Sequence, residues 1–308
     1  MKHFGLIVLA LTLGLGSTGF AQTINNEIFS EVVPLIHSGG ITTPLDATPN
    51  STGETVYFIA SNAGGVGVFQ VPMSGGAATA LKVGEPFAQP ASLAMSSDDK
   101  WLFVADTKAQ SGVIFRLSLE DGKVTILAGT EGTVPQGLEV VPLNGEDQIY
   151  FTGQDSSDGQ NAIFRIATID GELTVLAKSA PFENLSGITA TEEGVIFVSD
   201  RGQQGNQGLI YRIDNTVTPI ASNLNLGHPA GLALTPDASV LAVSSLSADG
   251  HAQVVLINLS TLETSIFNRV IGENVSAGGL HRSHGTEVIF AWADYEGDQV
   301  YKVKPKKP

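Results

Sequence analysis

Asp46, Glu139 and His281 each stand directly after a leucine in a pattern that recurs along the chain. Two carboxylates and an imidazole meeting at one point can hold a cation or work as an acid–base pair. A second group, Asp106, Asp155, Asp200, Arg201 and His228, falls where apolar bursts end or just before a proline. Loops begin at such places, and a carboxylate-rich crown suits a cationic or polyhydroxylated ligand, or a protein with a basic patch. Both groups have a plainer alternative. The first could bond to backbone groups or buried water, and the aspartates could cap their own turns.

Positioning these residues requires a repeat. Leu45, Leu93, Leu138, Ile188, Leu232 and Leu280 form one column, spaced 44 to 50 residues apart. The residues after them are Asp46, Ala94, Glu139, Thr189, Ala233 and His281. About ten residues past each column position lies an apolar burst, such as Leu102-Phe103-Val104 or Ile149-Tyr150-Phe151. A further burst follows, such as Ile114-Phe115-Arg116 or Ile163-Phe164-Arg165, and most registers show one more, as in Val124-Thr125-Ile126-Leu127. Short β-branched and aromatic runs separated by turns such as Glu120-Asp121-Gly122 read as strands. No apolar 3.6 period is long enough for a substantial helix.

The pattern predicts an all-β, six-bladed β-propeller with four antiparallel strands per blade. The last register lacks a fourth strand, and residues 28–36 near the front of the chain can supply it, which removes both open edges. On this reading the column residues lie on the innermost strands, and the aspartates lie on the rim shared by the lead-in loops and the loops between second and third strands. The bases Arg116, Arg165, Arg212 and Lys302 recur after the third-strand aromatic, which predicts stems lying along the sheets.

Composition narrows the functional classes. The 308 residues carry 16 basic and 31 acidic side chains, a charge of −15, which argues against nucleic acid as a partner. The absence of cysteine removes disulfides, thiol catalysis and thiolate metal sites. Met1-Lys2-His3, the apolar run Phe4 to Gly16 and Gly19-Phe20-Ala21 predict a signal peptide over residues 1–21. Export to the periplasm or the extracellular medium is therefore expected, with one domain over 22–303 and a basic tail at 304–308. The run is too short for a membrane span, which needs about 20 residues.

The stretch Pro90-Ala91-Ser92-Leu93-Ala94-Met95-Ser96-Ser97-Asp98-Asp99-Lys100-Trp101-Leu102-Phe103-Val104-Ala105-Asp106 resembles a blade of the senescence-marker-protein/gluconolactonase superfamily. It is also similar to NHL-type repeats, as are Pro229-Ala230-Gly231-Leu232-Ala233-Leu234-Thr235-Pro236-Asp237 and Phe197-Val198-Ser199-Asp200. The resemblance implies a propeller and, for the family's lactonases, a divalent metal held over the channel by Glu, Asn and Asp. The matching slots here are Thr43, Ala91, Gln136, Ser186, Ala230 and Gly278, with no carboxylate and no Asn. A hard cation wants several anionic or carbonyl oxygens.

The favoured expectation is an exported binding or scaffolding module, its small-molecule or protein ligand seated on the lead-in rim at Asp106, Asp155, Asp200, Arg201 and His228. The alternative is a divergent lactonase or hydrolase with a channel site at Asp46, Glu139 and His281. No cofactor and no metal ligand set are predicted. A divalent cation could find a place at that channel trio, and Asp155-Ser156-Ser157-Asp158-Gly159 has calcium-loop chemistry without the later Glu of an EF-hand.

Overall fold

The computed structural model describes residues 29–168, 171–203, 208–267, 276–285 and 289–305. The expected signal peptide lies outside the described residues. The first strands are β1 (Phe29–Pro34), β2 (Ile36–Ser38), β3 (Thr42–Pro49), β4 (Thr55–Asn62), β5 (Gly65–Pro72), β6 (Gly76–Ala77) and β7 (Thr79–Val83). Next come β8 (Pro90–Met95), β9 (Trp101–Asp106), β10 (Val113–Ser118), β11 (Val124–Ile126), β12 (Leu138–Leu143), β13 (Glu146–Gln154), β14 (Asn161–Ala167) and β15 (Thr174–Lys178). They are followed by β16 (Leu185–Ala190), β17 (Ile196–Asp200), β18 (Gly208–Ile213), β19 (Val217–Leu226), β20 (Leu232–Leu234) and β21 (Val240–Leu246). The chain closes with β22 (Ala252–Asn258), β23 (Thr264–Phe267), β24 (Leu280–Arg282), β25 (Phe290–Asp294) and β26 (Gln299–Pro305). Among the described residues, no helix is long and apolar enough to cross a membrane.

Apart from the short parallel pair of β2 and β6, the strands form antiparallel meanders, and the fold is all-β and propeller-like. Separate four-stranded sheets hold β3-β4-β5-β7, β8 to β11, β12 to β15, and β24-β25-β26-β1. The region β16 to β23 departs from the expected separate blades, because it is joined into one eight-stranded sheet. Strand β19 is the cause. It pairs with β18 up to Leu224, and its last residues, Asn225 and Leu226, then pair with Leu246 and Ser245 of β21. One continuous strand thus ends one meander and begins the next.

Closure occurs where the apolar pattern places it. Strand β1 pairs with β26 through Val32↔Val303 and Pro34↔Tyr301. Strand β26 continues through Lys304, opposite Glu31, so pairing extends into the segment expected to be a free tail. Innermost strands pack in succession, β3 on β8, β8 on β12, β12 on β16, β16 on β20, β20 on β24, and β24 back on β3.

Each meander is apolar on both faces because it is packed between two neighbours. In β9, Leu102 and Val104 join the core shared with β4 and β5, while Phe103 and Ala105 join the core shared with β12 to β14. Side chains alternate across a strand, so two buried faces produce an uninterrupted apolar run. Phe151 and Phe164 stack 4.8 Å apart in one such layer. Burying an aromatic or Leu side chain of this kind contributes about 1.5–3 kcal/mol.

Candidate functional site

The hub brings Asp46, Glu139 and His281 into contact. His281 Nε2 lies 3.1 Å from Asp46 Oδ2, and His281 Nδ1 lies 3.4 Å from Glu139 Oε2 without hydrogen-bond alignment. All three are buried, at 1%, 5% and 5% exposure for Asp46, Glu139 and His281. His284 joins them, its Nε2 3.2 Å from Glu139 Oε1. Asp46 has further donors: Ser92 Oγ at 2.6 Å and Leu93 N at 3.0 Å on Oδ2, and Ala47 N at 2.9 Å on Oδ1.

Charge outweighs burial here. Burial alone would lower the His281 pKa, but Asp46 and then Glu139 raise it to about 10. Burial would raise Glu139, yet His281 and His284, close against its carboxylate, lower it to about 2. The centre is therefore an imidazolium between two carboxylates, with both Asp46 oxygens committed. Among the described residues, no three His, Asp or Glu side chains are placed to hold a metal ion.

Room at the hub is scarce. The cavity beside Asp46, Ser92 and His281 measures about 10 Å³, close to the minimum for one water. Glycines make this closeness possible, since Gly137, Gly187, Gly231 and Gly279 occupy the position just before the Leu column. A Cβ on Gly187 would collide with the Ala230 carbonyl oxygen, and one on Gly279 with the Asp46 carboxylate. Ser92 takes the same column position in β8 and bonds Asp46 instead. Sequence reasoning missed Ser92 and His284. The glycine column was the available signal for Ser92, and the His-Arg-Ser-His run for His284.

The rim corrects the expectation of an outward acidic crown. Asp106 is fully buried, and its carboxylate accepts the amides of Ala88, Gln89, Lys108 and Ala109 at 2.8–3.0 Å. Asp200, equally enclosed, accepts those of Glu183, Asn184 and Gly202. Asp294 repeats the device with Ser276 and Gly297. A carboxylate that accepts several amides holds a loop in place. These bonds tie each loop between second and third strands to the lead-in loop beside it. Asp155 and Asp158 instead clamp Lys178 Nζ at 2.6 and 2.8 Å.

On this face Asp294 Oδ2 is enclosed with no hydrogen-bond partner. Arg201 Nε and Gln136 Oε1 are enclosed without a hydrogen-bond partner. Burial, and then the Arg201 guanidinium, hold the His228 imidazole below its usual pKa. Arg201 also acts on Tyr295, whose hydroxyl burial raises. Two of the third-strand bases lie beside acceptors. Lys302 Nζ reaches the Met73 carbonyl at 2.9 Å, and Arg212 Nε lies 3.3 Å from Asp214.

No family model and no curated protein matches this chain. Solved structures do. An aldose sugar dehydrogenase from Streptomyces coelicolor, in its PQQ-bound form, aligns with a TM-score of 0.64 at 15% identity, covering 89% of this chain and 98% of that one. A gluconolactonase from Xanthomonas campestris aligns at 0.62 and 13%, covering 91% of each chain. An auxiliary nutrient binding protein from Bacteroides thetaiotaomicron aligns at 0.62 and 12%, covering 90% of this chain and 76% of that one. These are β-propellers, and at such identity the likeness defines the fold of this chain as a propeller without choosing an activity.

Proposed function

We propose that this chain is an exported six-bladed β-propeller, one domain, that works as a binding module through its lead-in-loop face. The eight-stranded sheet then counts as two blades fused along β19. The carrying observation is the closed hub, where His281 is ion-paired to Asp46 and Glu139 beside about 10 Å³ of free space. A substrate has no room there, and typical ligand pockets occupy about 300–1,000 Å³. On the lead-in face, by contrast, Arg201, Gln136 and His228 carry polar groups that the fold leaves to a ligand or protein. Arg201 Nε calls for an acceptor on the partner and Gln136 Oε1 for a donor, which favours a polar partner surface offering both. Proteins sharing this fold include a nutrient-binding protein as well as enzymes, so a binding role is within its range.

A second reading has one observation in its favour, the 3.1 Å contact between His281 and Asp46, which is the geometry of an acid–base pair. On that reading the chain is a divergent lactonase or hydrolase. Metal analysis of the purified protein, a thermal melt with and without chelator, and a lactone panel separate the two. A protein free of divalent ion, unmoved by chelator and inactive on the panel supports the binding module. A stoichiometric ion whose removal lowers the melting temperature, or turnover lost in His281→Gln, overturns it.

A further inference from the structure

A cavity of about 510 Å³ lies between the β8–β11 and β12–β15 sheets, away from the hub. Its walls include Ser97, Trp101, Arg116, Asp147 and Thr168. The volume falls within the range of small-molecule sites. It opens on the side carrying the turns between first and second strands, so it is separate from the lead-in face.

The polar groups here are not spent on the fold. In β26 the third-strand base Lys302 donates to the Met73 carbonyl at 2.9 Å. Arg116 is diverted. Its guanidinium carbon sits 4.4 Å from the centre of the Trp101 ring, and its one hydrogen bond among the described residues, to the Thr168 carbonyl, is long at 3.4 Å. A guanidinium has five N–H donors, so most of them remain available. Asp147 accepts the Ser97 amide at 2.8 Å through Oδ2, while Oδ1 is enclosed with no partner. An unmatched carboxylate oxygen at a cavity wall is a rarity that calls for a donor from outside the chain.

We infer that this cavity is a binding site for a neutral saccharide. The requirement is set by the pair of charges. An anion would meet Asp147, Glu146 and Asp98, and a cation would meet Arg116. A hydroxyl-rich neutral ring satisfies both, with one hydroxyl donating to Asp147 and its neighbour accepting from Arg116. The half-buried Trp101 ring, with the Arg116 guanidinium over it, adds apolar wall beside the charged groups.

The chain has two tryptophans, and Trp292 is fully enclosed, so Trp101 reports on this site. D-glucose, D-galactose, maltose and cellobiose are titrated against the full chain, with D-glucosamine and D-glucuronate as charged counterparts. Tryptophan emission and calorimetry are the readouts. At least one neutral sugar is expected to give a saturable emission change. Affinity should fall tenfold or more in Asp147→Ala and in Arg116→Met, the latter keeping the stem and serving as the test if the former fails to fold. Absence of binding by all four neutral sugars overturns the inference. So does equal or tighter binding of the charged sugars, or affinity unchanged in the folded variant.

Discussion

His281 Nε2 meets Asp46 Oδ2 at 3.1 Å, although 235 positions separate the two residues in the chain. One stands on β24 and the other on β3, the innermost strands that join the last sheet to the first. The ion pair therefore spans the seam of the ring, and Glu139 extends it across the hub to β12.

Stability should follow the charges of this centre. Glu139 ionises near 2 when folded against an ordinary 4.5, so its contribution is present above about 4.5 and lost as pH falls toward 2. His281 holds its proton to about 10 against an ordinary 6.5, so its contribution is complete below about 6.5 and lost as pH rises toward 10. Melting temperature plotted against pH should show a plateau between about 4.5 and 6.5 with a decline on each side. His281→Gln should cost about 3–5 kcal/mol by leaving two buried carboxylates uncompensated. It should also flatten the alkaline limb. A parallel alkaline decline in the variant would assign that limb to other groups.

Asp106→Ala should destabilise the protein by about 1.5–3 kcal/mol, the range for hydrogen bonds to a charged group. The loss is local. Amide exchange should accelerate at Ala88, Gln89, Lys108 and Ala109, whose N–H groups the carboxylate accepts, ahead of the sheet amides.

Gly187→Ala tests the closeness of the hub. Its added methyl would strike the Ala230 carbonyl, a backbone atom that cannot swing aside, so a loss of about 1–3 kcal/mol or more is expected. Gly122→Ala is the comparison. Its φ of +71° carries strain, but open space surrounds it, and a loss near 1 kcal/mol should register in denaturant unfolding.

Val32→Asp examines ring closure. Val32 is 5% exposed and packs with Trp292, Tyr301 and Val303 in one core layer. A charge there should release β1 and leave β26 as an open edge that other chains can pair with. Size-exclusion chromatography should show concentration-dependent association absent from the parent protein.

Much of this architecture was legible from local sequence. A strand buried on both faces must be apolar throughout, so bursts such as Leu102-Phe103-Val104 announce their setting without a structure. The Leu column marked the innermost strands, and through them Asp46, Glu139 and His281 could be placed at one hub. The incomplete last register likewise pointed to residues 28–36, within which Phe29–Pro34 forms the strand that pairs with β26. Period and composition are short-range properties, and short-range sterics decide whether a segment is a strand.

Side-chain direction and mutual distance are long-range properties, and the tertiary structure alone decided them. Asp106 and Asp200 had the sequence setting of rim ligands, yet the lead-in loops brought amides within reach and turned both carboxylates inward. Ser92 and His284 became part of the hub only because glycines let the inner strands approach until the channel closed. Arg116 looked like one more repeated stem until Trp101 captured its guanidinium and left Asp147 half satisfied. Each outcome depends on which neighbour the ring's closure carries to within about 3 Å, the reach of a hydrogen bond, and residues far apart in the chain supply that neighbour.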